Sequence, residues 1–312
     1  MSYRLSEINH EIQTDPKGFL DACDAAYAAK IERAARAIAE KAADCPIVLL
    51  SGPSGSGKTT TAMKIAEALE AHGIRSQSLA MDNYFRTVDS RTAPRTPEGA
   101  IDFESPACLD MAMLGEHLNA LAKGEEIHIP RYNFVTRIQS GPIGKPMRLA
   151  RDEVVVCEGI HALNDEIAAY CPDAFRLYIS ARSNVVDDDG HVVFKGTWMR
   201  LLRRLVRDHN FRGTSAAGTL DMWANVRRGE KRYISPYKER ADLKFDSSFP
   251  CEVSVMKYYA AELLESVPEG AERYDEIRSI VPALERFESV DPGLLAPESM
   301  LREFIGGGVY HY

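Results

Sequence analysis

Gly52-Pro53-Ser54-Gly55-Ser56-Gly57-Lys58-Thr59 satisfies G-x-x-x-x-G-K-[ST] at every fixed position. A short apolar run, Ile47-Val48-Leu49-Leu50, precedes it. A pattern with Ala62, Ile65, Ala66 and Leu69 on one helical face follows it. Strand, glycine-rich loop and helix in that order form a phosphate cradle: backbone N–H groups converge on phosphate oxygens and the helix points its positive end at them. The expectation is a nucleoside triphosphate site. Gly52, Ser54, Gly55, Ser56, Gly57, Lys58, Thr59 and Thr60 would line it, with Lys58 on the outer phosphates and the Thr59 hydroxyl on Mg²⁺.

Apolar runs alternate with helical patterns along the rest of the chain. Strands are expected at 47–51, 76–81, 153–157 and 176–180. Helices are expected at 19–43, 58–72, 109–121, 198–207, 217–228, 253–266 and 272–287. This alternation predicts an α/β fold, a P-loop NTPase with a parallel sheet flanked by helices and a helical lid. The expected division is a helical extension over 1–45, a catalytic domain over 46–266 with its lid at about 196–240, and a helical appendage over 267–312. Residues 87–99, rich in Pro, Thr, Ser and Arg, read as a loop.

The 312 residues carry 46 acidic and 38 basic side chains, a net charge of -8. Such a surface does not attract nucleic acid or anionic membranes at long range. No apolar run approaches the ~18 residues of a membrane span. The first 15 residues lack a basic-then-apolar signal. The six cysteines show no C-x-x-C pair and no zinc spacing, which suits a reducing, cytoplasmic setting. A small-molecule substrate is the expected partner, and a homo-oligomer is compatible with the sequence.

P-loops serve many reactions. There is no N-K-x-D tetrad of a GTPase and no L-S-G-G-Q of a transporter ATPase. Asp82, in Leu79-Ala80-Met81-Asp82-Asn83-Tyr84-Phe85, and Glu158, in Val154-Val155-Val156-Cys157-Glu158-Gly159-Ile160, each end a strand-like run. The carboxyl ends of parallel strands are where catalytic groups gather. The arginines from Arg200 to Arg207 lie beside Leu201, Leu202 and Leu205, so the helix buries its leucines and offers guanidiniums to an anion. Asp187-Asp188-Asp189-Gly190 lacks the remaining ligands of an EF-hand and reads as a tight turn.

Taken together, these segments resemble the uridine kinase and phosphoribulokinase family over roughly residues 46–257. Asp82 to Phe85 is similar to its D-x-F-Y. Asp102-Phe103-Glu104-Ser105-Pro106 followed by Asp110 is similar to its N-F-D-H-P segment. Pro130 to Arg137 resembles its P-x-Y-D-F-x-x-H, and Glu158-Gly159-Ile160 its E-G-I. Arg200 to Asp208 with Arg212-Gly213 resembles its R-L-x-R-R-x-x-R-D…R-G lid. The resemblance implies an ATP-dependent kinase using Mg²⁺. Asp82 would be the general base and a metal ligand with Thr59 and Glu158. Lys58, Arg207 and Arg212 would hold the phosphates, with Arg207 and Lys58 counted in the catalytic set. Phe103, Tyr132 and Phe134 would wall the base pocket, beside Phe85, Arg137 and Ile160. Glu104 and Arg204 would grip the ribose.

The segments Leu177–Ile179, Asp187–Gly190 and Ser299–Gly307 resemble a larger bacterial branch. Its members often carry a region like that of threonyl-tRNA synthetase, and with about 45 residues ahead of the kinase core this chain is expected to lack it. The family's ribose-binding Asp is Glu104 here, its base-reading His is Arg137, and the second Arg of R-G-R is Thr214. The Phe-Tyr order is reversed at Tyr84-Phe85. Three readings follow: a uridine/cytidine kinase, a same-fold kinase of another alcohol such as a phosphorylated sugar, and a nucleotide-binding module without turnover.

Overall fold

The computed structural model describes residues 2–141 and 144–311. Its centre is a parallel sheet of β1 (Ile47–Ser51), β2 (Arg75–Ala80), β3 (Glu153–Glu158), β4 (Phe175–Ser180) and β5 (Leu243–Asp246), in the order β5-β4-β1-β3-β2. All four pairings are parallel. A parallel sheet is covered on both faces, so its inner strands are apolar at every position rather than at alternate ones. The strand period of two then divides the residues between two cores. Val48, Leu50, Val154, Val156, Leu177 and Ile179 face one cluster. Ile47, Leu49, Val155, Cys157 and Tyr178 face the other.

The helices are α1 (Leu5–Thr14), α2 (Pro16–Ala42), α3 (Lys58–Ala71), α4 (Met111–Ala122), α5 (Asp165–Tyr170), α6 (Gly196–Arg212), α7 (Ala216–Gly229), α8 (Glu252–Glu265), α9 (Tyr274–Glu285) and α10 (Arg302–Ile305). Every helix expected from the sequence is present, with ends shifted by a few residues. The shift at α2 has a clear cause. Asp15 caps the Gly18 N–H at 2.9 Å and Pro16 takes the first position, so the helix starts ahead of Phe19.

The ends of the chain join the central core. Leu5, Ile8, Tyr27 and Ile31 share one cluster with the sheet and with Met300, Leu301 and Phe304. Ser2–Arg4 adds a strand parallel to Asn184–Val186, which pairs in turn with Val192–Phe194. The turn at Asp187–Gly190 closes between those last two strands, with Gly190 N bonded to Asp187 O at 3.1 Å. Residues Arg131–Asn133 and Ile138–Ser140 form a separate antiparallel hairpin. All six cysteines are free and buried. Among the described residues no helix is long and apolar enough to cross a membrane.

Candidate active site

Sheet register assembles the centre of the site. Leu50 of β1 and Ala80 of β2 both stand opposite Glu158 of β3. Gly52 and Asp82 each follow two residues later, so phosphate loop and two carboxylates meet at one edge. The loop itself depends on glycine. A Cβ on Gly52 would sit 2.0 Å from the Ile179 carbonyl oxygen, and Gly57 has φ +76° as the residue before α3.

Thr59 Oγ1 lies 3.3 Å from Glu158 Oε2, and Lys58 Nζ donates to Pro53 O at 3.3 Å. Burial pulls the Lys58 ammonium below its usual range, while Glu158, Glu303 and Asp82 pull it back up. Burial also raises Glu158; Lys58 opposes that shift and Asp82 reinforces it. Asp82 opens onto solvent although protein crowds it on most sides. That crowding raises its pKa, countered by Lys58 and then Arg212. A hard-oxygen donor set of one hydroxyl and two carboxylates suits Mg²⁺. The Ser56 hydroxyl is buried without a hydrogen-bond partner, as a group awaiting a phosphate oxygen would be.

The arginines of α6 divide by role. Arg203 is fully buried and forks onto Glu252, with Nη2–Oε2 at 2.7 Å, and also donates to Gly55 O at 3.2 Å. Arg200 donates to Glu230 at 2.6 Å and to Ser54 O at 3.2 Å. These two brace the phosphate loop from beneath. Arg204 donates to Ser54 Oγ at 2.8 Å and pairs with Asp208 at 3.2 Å. Arg207 and Arg212 reach the same buried Asp208 at 2.7 and 3.5 Å. Asp208 thus gathers the three arginines assigned to phosphates and ribose. It was not among the expected site residues, although its i+4 spacing from Arg204 and to Arg212 marks it.

At the hairpin, Phe85, Tyr132 and Phe134 form an aromatic group with centroids 4.9–5.8 Å apart. Tyr132 is buried and Phe134 is 60% exposed, so the wall is half open. The Arg137 guanidinium lies 5.3 Å from the Phe103 centroid. Glu104 is pushed up to about 7 by burial, against the pull of Arg204. Ile160 O accepts from Ser51 Oγ at 2.8 Å, tying the E-G-I turn to β1. Asp102, another residue absent from the expected set, takes Arg228 at 2.9 Å and the Tyr233 hydroxyl at 3.2 Å. It fastens the Phe103–Glu104 segment to the end of α7.

The phosphoribulokinase / uridine kinase family model matches residues 47–253, about two thirds of the chain. The chain belongs to this family. A uridine kinase of Staphylococcus haemolyticus is 29% identical over 202 residues, 64% of this chain and 87% of that protein. Uridine kinases of Borreliella burgdorferi and Deinococcus deserti are 31% and 30% identical over 198 residues, 63% of this chain and 84% and 85% of theirs. The fold is therefore that of a P-loop kinase, and the protein is an ATP-dependent kinase acting on a small molecule.

The family match ends at residue 253, yet the site continues beyond it. The tail from Ser299 packs on the phosphate loop, with Met300, Leu301 and Phe304 fully buried. Glu303 Oε2 accepts from Thr60 N at 3.2 Å. A cavity of about 620 Å³ opens beside Thr59, walled by Arg207, Phe211 and Arg212 on α6 and by Gly306–Gly308 and Tyr310 on the tail. The resemblance of Ser299–Gly307 to a bacterial branch of these kinases assigns the tail no site residue, and no local periodicity marks it as part of a site. Its role comes from long-range docking.

Proposed function

We propose that this kinase transfers the γ-phosphoryl group of ATP to the 5′-hydroxyl of a pyrimidine nucleoside, with uridine preferred to cytidine. The observation that carries the reading is the meeting of Asp82 and Glu158 beside Lys58 and Thr59 at the carboxyl edge of the sheet. Asp82 accepts the proton as the substrate oxygen bonds to the γ-phosphorus and the bond to the β–γ bridging oxygen breaks, releasing ADP. Lys58, Arg207 and Arg212 hold the phosphates, and the base of ATP occupies the cavity walled by the tail. Thr59, Asp82 and Glu158 would hold Mg²⁺, which when bound neutralises charge on the transferring phosphates.

Phe103, Tyr132 and Phe134 flank the acceptor base and Glu104 takes a ribose hydroxyl. Arg137 offers five donors and no acceptor. It satisfies the carbonyls of uracil but leaves the exocyclic amine of cytosine facing a donor, at a cost of about 1–3 kcal/mol. One feature favours a second reading. Arg137 has no carboxylate partner among the described residues, so its charge is available to a substrate phosphate.

An ATP-consumption assay over nucleosides and sugar phosphates separates the readings. The expected kcat/KM for uridine exceeds that for cytidine by about tenfold or more. Equal values remove Arg137 from base reading. Turnover with sugar phosphates alone moves the assignment to the second reading, and no turnover with any acceptor refutes both.

A further inference from the structure

A second cavity, about 480 Å³, opens between the carboxyl end of β4 and the start of α6. Five basic side chains line it: Arg182, Lys195, Arg200, Arg227 and Lys238. Glu230 is the one carboxylate among them. In a chain of net charge -8 that concentration is against the average. Glu230 is shared by Arg200 and Arg227 and neutralises at most one of them. Among the described residues, Arg182, Lys195 and Lys238 have no ion-pair partner; Lys195 sits 4.9 Å from the Trp198 ring centroid. The neighbouring acid, Glu239, bonds Lys244 and shares its charge with Lys238 and Arg182, one carboxylate against three cations.

The backbone at Arg182 is tied to the end of β5. Arg182 N donates to Asp246 Oδ1 at 3.0 Å, and Ser183 Oγ to Asp246 Oδ2 at 2.6 Å. Uncompensated like charges held around a cavity repel one another, and an anion placed among them removes that cost. Several cations around one space match the spread charge of adjacent phosphates better than a single carboxylate.

We propose that this cavity is a second binding site, for a small molecule carrying two or more phosphate groups, and that its occupancy is felt at the phosphate loop. Arg200 is the link. One end of its guanidinium binds Glu230 in the cavity wall and the other binds Ser54 O in the loop. A polyanion competes with Glu230 for Arg200 and Arg227, and so alters the brace under Ser54. The site does not depend on which alcohol the kinase phosphorylates.

The test is calorimetric. Wild-type protein is first saturated with Mg²⁺ and a non-hydrolysable ATP analogue, which occupies the phosphate loop. Inorganic pyrophosphate, a nucleoside diphosphate and a sugar bisphosphate are then titrated separately. At least one binds at one-to-one stoichiometry. Pyrophosphate binding as well as the others means that the phosphates alone are read; tighter binding of an organic arm means that its scaffold is also contacted. The combined Arg182→Gln, Lys195→Gln and Lys238→Gln variant weakens binding at least tenfold, while its ATP KM without ligand stays within twofold of wild type. Lys238→Gln alone weakens it in the same direction and serves if the triple variant fails to fold. The bound ligand also shifts the wild-type ATP KM, and that shift is lost in the variant. No binding in any arm, undiminished binding to both variants, or an unmoved ATP KM overturns the proposal.

Discussion

Asp82 and Glu104 are both carboxylates raised by crowding, and their surroundings assign them different work. Asp82 stands at the open edge of the sheet with Lys58 and Arg212 countering the rise, so it is available to a substrate proton. Asp82→Asn keeps the shape of the side chain and removes the basic carboxylate that takes the proton. Turnover should fall about 10²–10⁴-fold while nucleotide titration shows ATP still bound; a rate near wild type would name another base. Glu104, at about 7, changes charge within the working range. Its ionised form accepts from the ribose hydroxyl more strongly than the neutral acid does, so kcat/KM for the acceptor should rise with pH through about 7, and Glu104→Gln should flatten that rise. The stability effect has the opposite sign. The folded-state pKa lies above the unfolded one, so this group's contribution is complete at low pH and is lost as pH climbs through about 7. Glu104→Gln should therefore raise Tm relative to wild type at pH 8 and change it little at pH 5, which thermal scans at the two pH values would check.

On helix α6, Arg203 and the proposed phosphate ligand Arg207 stand one turn apart. Arg203 is sealed against Glu252, and removing one partner of a buried pair typically costs about 3–5 kcal/mol. Arg203→Ala should unfold at markedly lower denaturant, whereas Arg207→Ala should keep its midpoint and lose ATP affinity. Met199, Leu201, Leu202, Leu205 and Val206 anchor the first three turns in the core. Motion on ligand binding should then be confined to the end of the helix. Hydrogen exchange should show 199–206 protected without ligand and 207–213 protected only with both substrates; early exchange across 199–206 would count against an anchored helix. The sequence makes the leucine stripe and the arginine spacing legible, but not which guanidinium meets Glu230 or Glu252, because those partners lie 30 and 49 residues away. The same contrast runs through the fold. The apolar runs of β1 and β3 announce buried strands, and register then carries Asp82 and Glu158 to the loop. Ser2–Arg4 has no apolar pattern and becomes a strand only because Asn184–Val186 offers an edge. Asp102 reads as part of a motif, while its hold on Arg228 and Tyr233 is visible only once α7 is in place.

At the scale of the whole molecule, the two ends of the chain close over the face of the sheet that carries α3. Tyr27 of α2 bonds the Thr61 hydroxyl at 2.6 Å, and the tail sets Glu303 against Thr60. With Met300, Leu301 and Phe304 at 0% exposure, the tail cannot leave without opening the core. Any adjustment of the tail to a nucleotide therefore falls to the Glu303 side chain. That carboxylate adds a third negative charge to Asp82 and Glu158 around Lys58, and it holds a main-chain N–H at the start of α3, where the proposed site would seat phosphate oxygens. A bound triphosphate must share this space with it. One unit charge at a separation of about 6 Å in a partly solvated cleft is worth roughly 1–3 kcal/mol before screening. Glu303→Gln keeps the shape and an acceptor for Thr60 and removes only the charge. The ATP KM should fall several-fold, with the Tm of the free enzyme lowered slightly because a carboxylate at a helix N-terminus is itself stabilising. Steady-state kinetics with ATP varied at saturating acceptor, paired with thermal scans, reads both effects. A higher ATP KM in Glu303→Gln would mean that the tail supports the nucleotide through this carboxylate instead of competing with it.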